Sequence, residues 1–194
     1  MDLQVRQATE DDVAAISVIL DHAVHAKMHH GDLNWGDKAY EPNVWPQLIA
    51  AGNVYVALLG DDVVGTFRLE WQDDGMWGVQ PPVAGYVQRF AVSSAHRGQK
   101  LGRRIFDLAA QVVALNGRQY VRLTCPIDNA KLRAYHESNG FYRADAKATP
   151  FRPAYAAAYY ERPVSGEAPQ VAVDQTKKGL LHKLRRIHFG QSYN

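Results

Sequence analysis

Apolar residues follow two different spacings along this chain. In some segments they alternate with polar residues, which places them on one face of a β-strand, and in others they recur every three or four positions, which forms a stripe along an α-helix. The alternating spacing predicts strands over residues 3–7, 54–58, 63–71, 86–92, 121–125, 141–146 and 156–162. The helical spacing predicts helices over residues 13–24, 43–51, 101–115 and 128–139.

Turn-forming residues separate the predicted elements. Gly60-Asp61-Asp62 joins two strands in a hairpin, whereas residues 25–41 and 72–84 are predicted to be loops. The resulting order is β-α-α-β-β-β-α-β-α-β-β. This alternation of strands and helices indicates an α/β fold, in which a mixed sheet carries helices on both faces.

The composition is that of a globular domain. Of 194 residues, 46% are apolar and 22% are charged, which is ordinary for such a chain. No apolar run approaches the roughly 20 residues of a membrane span, so no membrane partner is expected. The single cysteine, Cys125, excludes an internal disulfide and predicts a cytoplasmic location. Within an apolar strand it is interpreted as a small core residue.

Charge is distributed unevenly along the chain. The net charge is +2, yet residues 163–194 carry five basic and two acidic side chains, a net +3. Residues 1–162 are therefore nearly neutral and do not require a nucleic-acid partner. We expect residues 1–164 to form one domain and residues 165–194 to form a basic, flexible tail. Binding of that tail to a partner, to RNA or to a membrane surface stays open.

The segment 89–104 joins a predicted strand to the longest predicted helix after the hairpin. It contains Gly98 and Gly102, where the backbone can approach a ligand closely because no Cβ intervenes, together with arginines 97, 103 and 104. Backbone N–H groups, a helix N-terminus and basic side chains therefore converge on one point. Such a point is an anion site, and a phosphate is its usual occupant.

Two motifs and the order of elements together resemble the GCN5-related N-acetyltransferase (GNAT) superfamily. The motifs are Arg97-Gly-Gln-Lys-Leu-Gly102 and Asn129…Tyr135-His136…Gly140-Phe141. The superfamily turn reads Gln/Arg-x-x-Gly-x-Gly/Ala, so its first and last positions match here while Lys100 replaces the middle glycine. The resemblance covers residues 3–162. It implies a GNAT fold, a mixed sheet of six or seven strands with a splay between the strands that flank the main helix.

The resemblance also implies acetyl-coenzyme A as co-substrate, with no metal. The residues implied at its pyrophosphate are Arg97, Gly98, Gln99, Lys100, Leu101, Gly102 and Arg103. The backbone of Phe90, Ala91 and Val92 would pair with the pantetheine arm, and an N–H near Val92 would stabilise the oxyanion. Asn129 would hydrogen-bond the same arm, although an asparagine at this place is equally typical of a helix N-cap.

The family often protonates the leaving thiolate with a tyrosine four residues before the Gly-Phe pair. His136 stands at that position, directly after Tyr135. A histidine with an ordinary pKa of about 6.5 is partly protonated near neutrality, so His136 is favoured over Tyr135, and protonation by solvent stays open. Family members with a carboxylate base often place it near position 86, which is Tyr86 here. Glu70 on the preceding strand is the nearest candidate, unless it is simply a solvated strand residue.

Residues 25–41 and 72–84 fall where the superfamily builds its acceptor pocket. Tryptophans 35, 45, 71 and 77 could form apolar walls, and Asp37, Asp73 and Asp74 could attract an ammonium group. His25, His29 and His30 match no metal-binding motif. We expect an N-acetyltransferase acting on a small-molecule primary amine, with homodimers known among relatives. A macromolecular amine (a protein N-terminus or a charged tRNA) and a non-catalytic acetyl-CoA sensor stay open as alternatives.

Overall fold

A computed structural model describes residues 2–32, 34–37, 40–144 and 156–164 of the chain. The predicted tail, residues 165–194, lies outside the described residues. So do the last two residues of the strand that was predicted over 141–146.

The described residues form seven strands and five helices. In chain order they are β1 (Leu3–Gln7), α1 (Val13–His29), α2 (Trp45–Ala50), β2 (Val54–Leu59), β3 (Asp62–Glu70), α3 (Asp74–Trp77), β4 (Ala84–Val92), α4 (Leu101–Leu115), β5 (Tyr120–Pro126), α5 (Ala130–Ser138), β6 (Tyr142–Arg143) and β7 (Ala157–Pro163). The predicted order of strands and longer helices is confirmed. The short α3 is an addition within a segment that was predicted to be a loop.

The strands form one mixed sheet in the order β1-β2-β3-β4-β5-β7-β6. Neighbouring strands are antiparallel except β4 and β5, which run parallel. The parallel pairing covers only Ala84 to Tyr86 against Tyr120 to Arg122. Beyond those pairs the two strands separate, so the α/β fold class and the predicted splay are confirmed.

Helices pack on both faces of the sheet. The buried stripe of α4 includes Ile105, Ala109 and Val113, which lie in the larger core cluster on one face. The buried stripe of α1 includes Ile16, Leu20 and Val24, which lie in a second cluster on the other face. The opposed layers hold β4 and β5 in place, so that their divergence is a fixed feature of the fold.

Helix α1 is longer than its apolar stripe predicted. It continues through residues 25–29, which were predicted to belong to a loop, and ends at His29. The stripe marks only the buried face of a helix, whereas polar residues of adequate helix propensity extend it along the solvent side. The chain leaves the helix at Gly31, whose φ of 72° is the left-handed conformation typical of a helix end.

Candidate active site

The splay between β4 and β5 opens a cleft of about 590 Å³. Residues 87–92 of β4 form one side and residues 123–126 of β5 form the other. Further lining comes from Leu132, Tyr135 and His136 of α5, and from Trp35 and Asp73 of the segments predicted to bind the acceptor. Residues from several separate segments therefore meet in one cavity.

The turn before α4 presents its backbone to the solvent. None of the hydrogen bonds within the described residues uses the amide N–H groups of residues 98–100, and these residues are exposed. The first four N–H groups of any helix also lack acceptors within that helix. A run of unpaired donors thus continues into α4, with Arg97 lining the cleft beside it.

Lys100 keeps the backbone shape that a glycine would adopt at its position. Its φ of 55° and ψ of 21° are left-handed, a conformation that costs a non-glycine residue about 1–2 kcal/mol. Gly98, two residues earlier, has a φ of 80°. The turn therefore accepts the strain of a lysine and retains the run of exposed amides that the resemblance implies for a pyrophosphate.

A β-bulge interrupts β4 inside the cleft. Thr66 pairs with Ala91 and Arg68 with Gln88, so that Arg89 and Phe90 together lie opposite a single residue of β3. Arg89 takes a φ of 50°, the left-handed region, at this point. A bulge changes which face each following side chain takes.

Because of the bulge, the consecutive side chains of Gln88 and Arg89 lie on the same face of β4, opposite to Val87 and Phe90. Val87 and Phe90 both pack towards α4, and Phe90 stacks on Phe106 with ring centroids 4.0 Å apart. Between them, Gln88 reaches Asp73, and Arg89 reaches Trp35. Strict alternation would have placed Arg89 beside Val87 in the core.

Tyr135 brings its hydroxyl to the start of α4. A Cβ on Gly102 would overlap Tyr135 Oη and would lie 3.9 Å from Phe90. Only glycine therefore leaves room for this hydroxyl between β4 and α4. Burial raises the pKa of Tyr135, so the phenol keeps its proton at neutral pH.

His136 also lines the cleft, but its ring is buried among aromatic side chains. It is 7% exposed, with the rings of Phe106, Phe141 and Tyr160 about 6 Å away. Burial lowers the pKa of His136 to about 4, and its Nδ1 has no hydrogen-bond partner among the described residues. With this pKa the His136 ring is almost entirely neutral at pH 7, whereas the sequence predicted that it would be partly protonated.

The two acidic residues near the cleft have different surroundings. Glu70 is ion-paired with Arg68, accepts a hydrogen bond from Asn53 Nδ2 at 2.8 Å and does not line the cleft. Asp73 lines the cleft and accepts a hydrogen bond from Gln88 Nε2 at 3.2 Å. Burial raises the pKa of Asp73, and the nearby charges of Glu70 and Asp74 act in the same direction.

Asp73 was singled out in the sequence only as a charge that might attract an ammonium group. The signal for a further role is weak in the sequence, because Asp73 follows β3 in a polar segment with no periodic pattern. Its place in the cleft depends on α3 turning back towards β4.

The other predicted site residues divide between cleft and core. Of the four tryptophans, Trp35 lines the cleft, whereas Trp45 and Trp77 are buried and Trp71 packs against the core. Asn129 caps α5, because Asn129 Oδ1 accepts a hydrogen bond from the backbone N–H of Leu132 at 2.9 Å.

Cys125 is a core residue that also reaches the cleft wall. It is 2% exposed, and burial raises its pKa to about 11. A thiol with that pKa carries almost no thiolate at neutral pH, so Cys125 contributes apolar surface and no nucleophile.

The part of the chain that the structure describes holds neither a metal-binding cluster nor a membrane-spanning helix. No three His, Cys, Asp or Glu side chains there are grouped closely enough to hold a metal ion. None of the helices described is both long and apolar enough to cross a bilayer.

Fold and cleft together define an acetyltransferase of the GNAT class. The model of the acetyltransferase (GNAT) family matches residues 22–141, and the chain belongs to this family. Among curated proteins, the chain is similar to N-alpha-acetyltransferase 40 of Saccharomyces cerevisiae, with 32% identity over 131 residues. That match covers 60% of this chain and 46% of the yeast protein, so the chain spans about half of its relative's length.

Solved structures share the same fold. A GNAT-family acetyltransferase from Listeria monocytogenes superposes with a TM-score of 0.67 at 19% identity, covering 83% of this chain and 94% of that one. The PaiA N-acetyltransferase of Thermoplasma acidophilum, solved in complex with coenzyme A, superposes with a TM-score of 0.62 at 14% identity. This match covers 84% of our chain and 99% of the archaeal one. At these identities the likeness establishes the fold alone.

Proposed function

We propose that this protein transfers the acetyl group of acetyl-coenzyme A to an α-amino group. The observation that carries the proposal is the run of unpaired backbone amides at residues 98–100, directly after Arg97, which lines the cleft in the β4–β5 splay. Backbone amides and a helix N-terminus bind a diphosphate without any side chain losing its hydration. The residues present therefore fit coenzyme A.

The donor side of the cleft is assigned as follows. Residues 97–103 hold the pyrophosphate, and the splayed side of β4 at residues 90–92 offers backbone groups to the pantetheine arm. When bound, acetyl-coenzyme A supplies a thioester that an amine can attack directly. A backbone N–H near Val92 stabilises the negative charge that develops on the acetyl oxygen. Asn129 lies at the start of α5, where its side chain caps the helix.

Tyr135 is the proton donor for the thiolate in this proposal. It lines the cleft, and its phenol is protonated at neutral pH. His136 is neutral there and serves by holding the aromatic cluster beside Tyr135, whose ring centroid is 5.7 Å from its own.

Asp73 is the general base for the acceptor. An amine attacks only after its ammonium form loses a proton, and a carboxylate with a raised pKa accepts that proton better than an ordinary one. Glu70 is less suited, because Arg68 and Asn53 already occupy its oxygens.

Proton affinity and the name of the curated relative both support an α-amino acceptor. An α-amino group has a pKa of about 7.7–8.0, against about 10.4 for a lysine side chain, so a carboxylate base suffices for the former. The similar yeast protein is named an N-alpha-acetyltransferase. We therefore favour peptide N-termini and other α-amines over the wider class of primary amines.

The test is an acceptor panel read by thiol release, with mass spectrometry of the products. The panel contains peptides with free N-termini, free amino acids, polyamines and aminoglycosides. We expect release of coenzyme A and addition of one acetyl group with α-amines. If acetyl-coenzyme A shifts the melting temperature but no amine releases thiol, the protein is a non-catalytic sensor of acetyl-coenzyme A and the proposed function is wrong.

A further inference from the structure

Arg89 lies in the acceptor part of the cleft because of the bulge in β4. Its side chain leaves the face of the sheet covered by α4 and contacts Trp35 and Tyr40, which pack with the core cluster around α1. The left-handed φ of 50° is unfavourable for a non-glycine residue. The surrounding structure therefore maintains this placement against a backbone preference.

The contacts of Arg89 hold its guanidinium without neutralising it. The guanidinium carbon is 5.0 Å from the ring centroid of Trp35 and 5.1 Å from that of Tyr40. Its Nη1 donates a hydrogen bond to the backbone oxygen of Trp35 at 3.3 Å. Aromatic faces and a carbonyl orient a guanidinium, but they carry no full negative charge to offset it.

Two neighbouring cations differ from Arg89 in this respect. Lys27 is paired with Asp32, and Arg68 is paired with Glu70. The ion pairs between described residues include none to Arg89. Burial accordingly lowers the pKa of Arg89, and the charge of Arg68 acts in the same direction. A half-buried cation in a ligand cleft is stabilised when the ligand brings the opposite charge.

The adjacent residue of β4 adds a second point of recognition. Gln88 shares the face of Arg89 and hydrogen-bonds Asp73, the proposed base. Consecutive residues of β4 thus hold an acid, suited to an ammonium group, through Gln88 and present a guanidinium, suited to a carboxylate, on Arg89. Arg and carboxylate form paired, charge-assisted hydrogen bonds of defined geometry.

We infer that Arg89 binds a carboxylate of the acceptor, so that the preferred substrate is an α-amine with an acidic group a few bonds away. This inference rests on the proposed function. The acidic group is either the α-carboxylate of a free amino acid or an acidic side chain in the first two residues of a peptide. Both sources present the same chemistry to Arg89.

The experiment compares acidic acceptors with their uncharged amides. One arm pairs peptides that begin with Asp or Glu with peptides that begin with Asn or Gln, and repeats the pairing at the second position. The other arm pairs free amino acids with their α-amides. We expect kcat/KM for the acidic partner to be about 10–100-fold higher in at least one arm, mostly through KM, as for the gain of a charge-assisted hydrogen bond.

Arg89→Gln should reduce that preference to about onefold. Arg89→Asn provides a second variant, because asparagine tolerates the left-handed backbone better than most residues. Lys131→Gln, at an exposed cation of α5 outside the cleft, is the control and should retain the wild-type preference. Thermal melts confirm that each variant is folded.

The outcomes separate this inference from the proposed function. If acetyl-coenzyme A binds but no amine releases thiol, the proposed function fails. If turnover occurs with equal kcat/KM for acid and amide, or if the preference survives in both Arg89 variants, the inference is overturned. A loss of affinity for acetyl-coenzyme A in Arg89→Gln would also overturn it, because Arg89 would then belong to the donor side.

Discussion

The donor and acceptor ends of the cleft are built in different ways. The proposed donor end consists of the exposed turn at residues 97–100 and the first residues of α4, and in our proposal its backbone amides bind the pyrophosphate. The acceptor end consists of half-buried side chains from separate segments, chiefly Trp35, Asp73 and Arg89. A site made of backbone depends little on side-chain identity, since Lys100 keeps the left-handed conformation that a glycine would adopt at its position. A site made of side chains depends on the identity and surroundings of each one.

The largest effect should come from the acceptor end. Replacing Asp73 by Asn removes the proposed base and should lower kcat/KM about 10²–10⁴-fold. In the wild type, activity should fall as the pH drops through the pKa of Asp73. That fall should occur at a higher pH than for an exposed aspartate, because burial raises the pKa. A pH–rate profile of wild type and variant measures both effects.

Asp74→Asn is the matched control for Asp73, since Asp74 is the next residue, is exposed and does not line the cleft. It should leave the plateau of kcat/KM unchanged and should move the acidic limb only to a lower pH, because the charge of Asp74 helps to raise the pKa of Asp73. If Glu70→Gln abolishes the acidic limb while Asp73→Asn retains it, the base is Glu70 and the acceptor end has been misassigned.

The burial of His136 at the cleft should make the free energy of unfolding depend on pH. Because the pKa of His136 falls from 6.5 to about 4 on folding, only the unfolded chain binds this proton between those pH values. The contribution of His136 to stability is thus complete above pH 6.5 and is lost as the pH falls to about 4. The loss amounts to about 3 kcal/mol, at 1.36 kcal/mol per pKa unit.

His136→Phe keeps an aromatic ring and removes the titration. Urea unfolding at pH 7 and pH 4 should therefore show a smaller loss of stability in this variant than in the wild type. The control is His25→Gln, at an exposed position on α1. Its loss of stability between pH 7 and pH 4 should equal that of the wild type. Equal losses in wild type and His136→Phe would mean that His136 titrates as an exposed histidine does.

Gly102, in the first turn of α4, leaves the space that the Tyr135 hydroxyl occupies. In Gly102→Ala the new methyl group displaces the Tyr135 hydroxyl, and misplacing a reacting group by about 1 Å can cost 10²-fold in rate. We expect kcat to fall about 10–100-fold. Tyr135→Phe should cause a similar loss, and the double variant should lose little more, because both changes remove one interaction. Fully additive losses would show that Gly102 and Tyr135 act independently.

The smallest effect should come from the donor end. Lys100→Gly relieves a left-handed backbone at a non-glycine residue but adds entropy to the unfolded chain, so the free energy of unfolding should rise by at most about 1 kcal/mol. Affinity for acetyl-coenzyme A, measured by calorimetry, should change little if the amides dominate. Lys100→Ala, which keeps the strain and removes the charge, separates the two contributions. A large loss of affinity in both variants would show that the ammonium is the main contact.

Much of the fold could be predicted from the sequence because its signals are local. Alternation in β2 to β5, the stripe of α4 and the turn at residues 97–102 each depend on residues close together in the chain. The same signals failed where they mark only one face of an element. They ended α1 too early, and they placed its last five residues in a loop.

The sequence by itself therefore determined the GNAT architecture and the location of the donor turn. Only the tertiary structure decided the chemistry of the acceptor end. Burial by Phe106, Phe141 and Tyr160 makes His136 neutral. A one-residue shift in the pairing of β3 with β4 turns Arg89 towards Trp35. The physical reason is that protonation and charge pairing depend on neighbours distant in the chain, whereas backbone conformation depends mainly on adjacent residues.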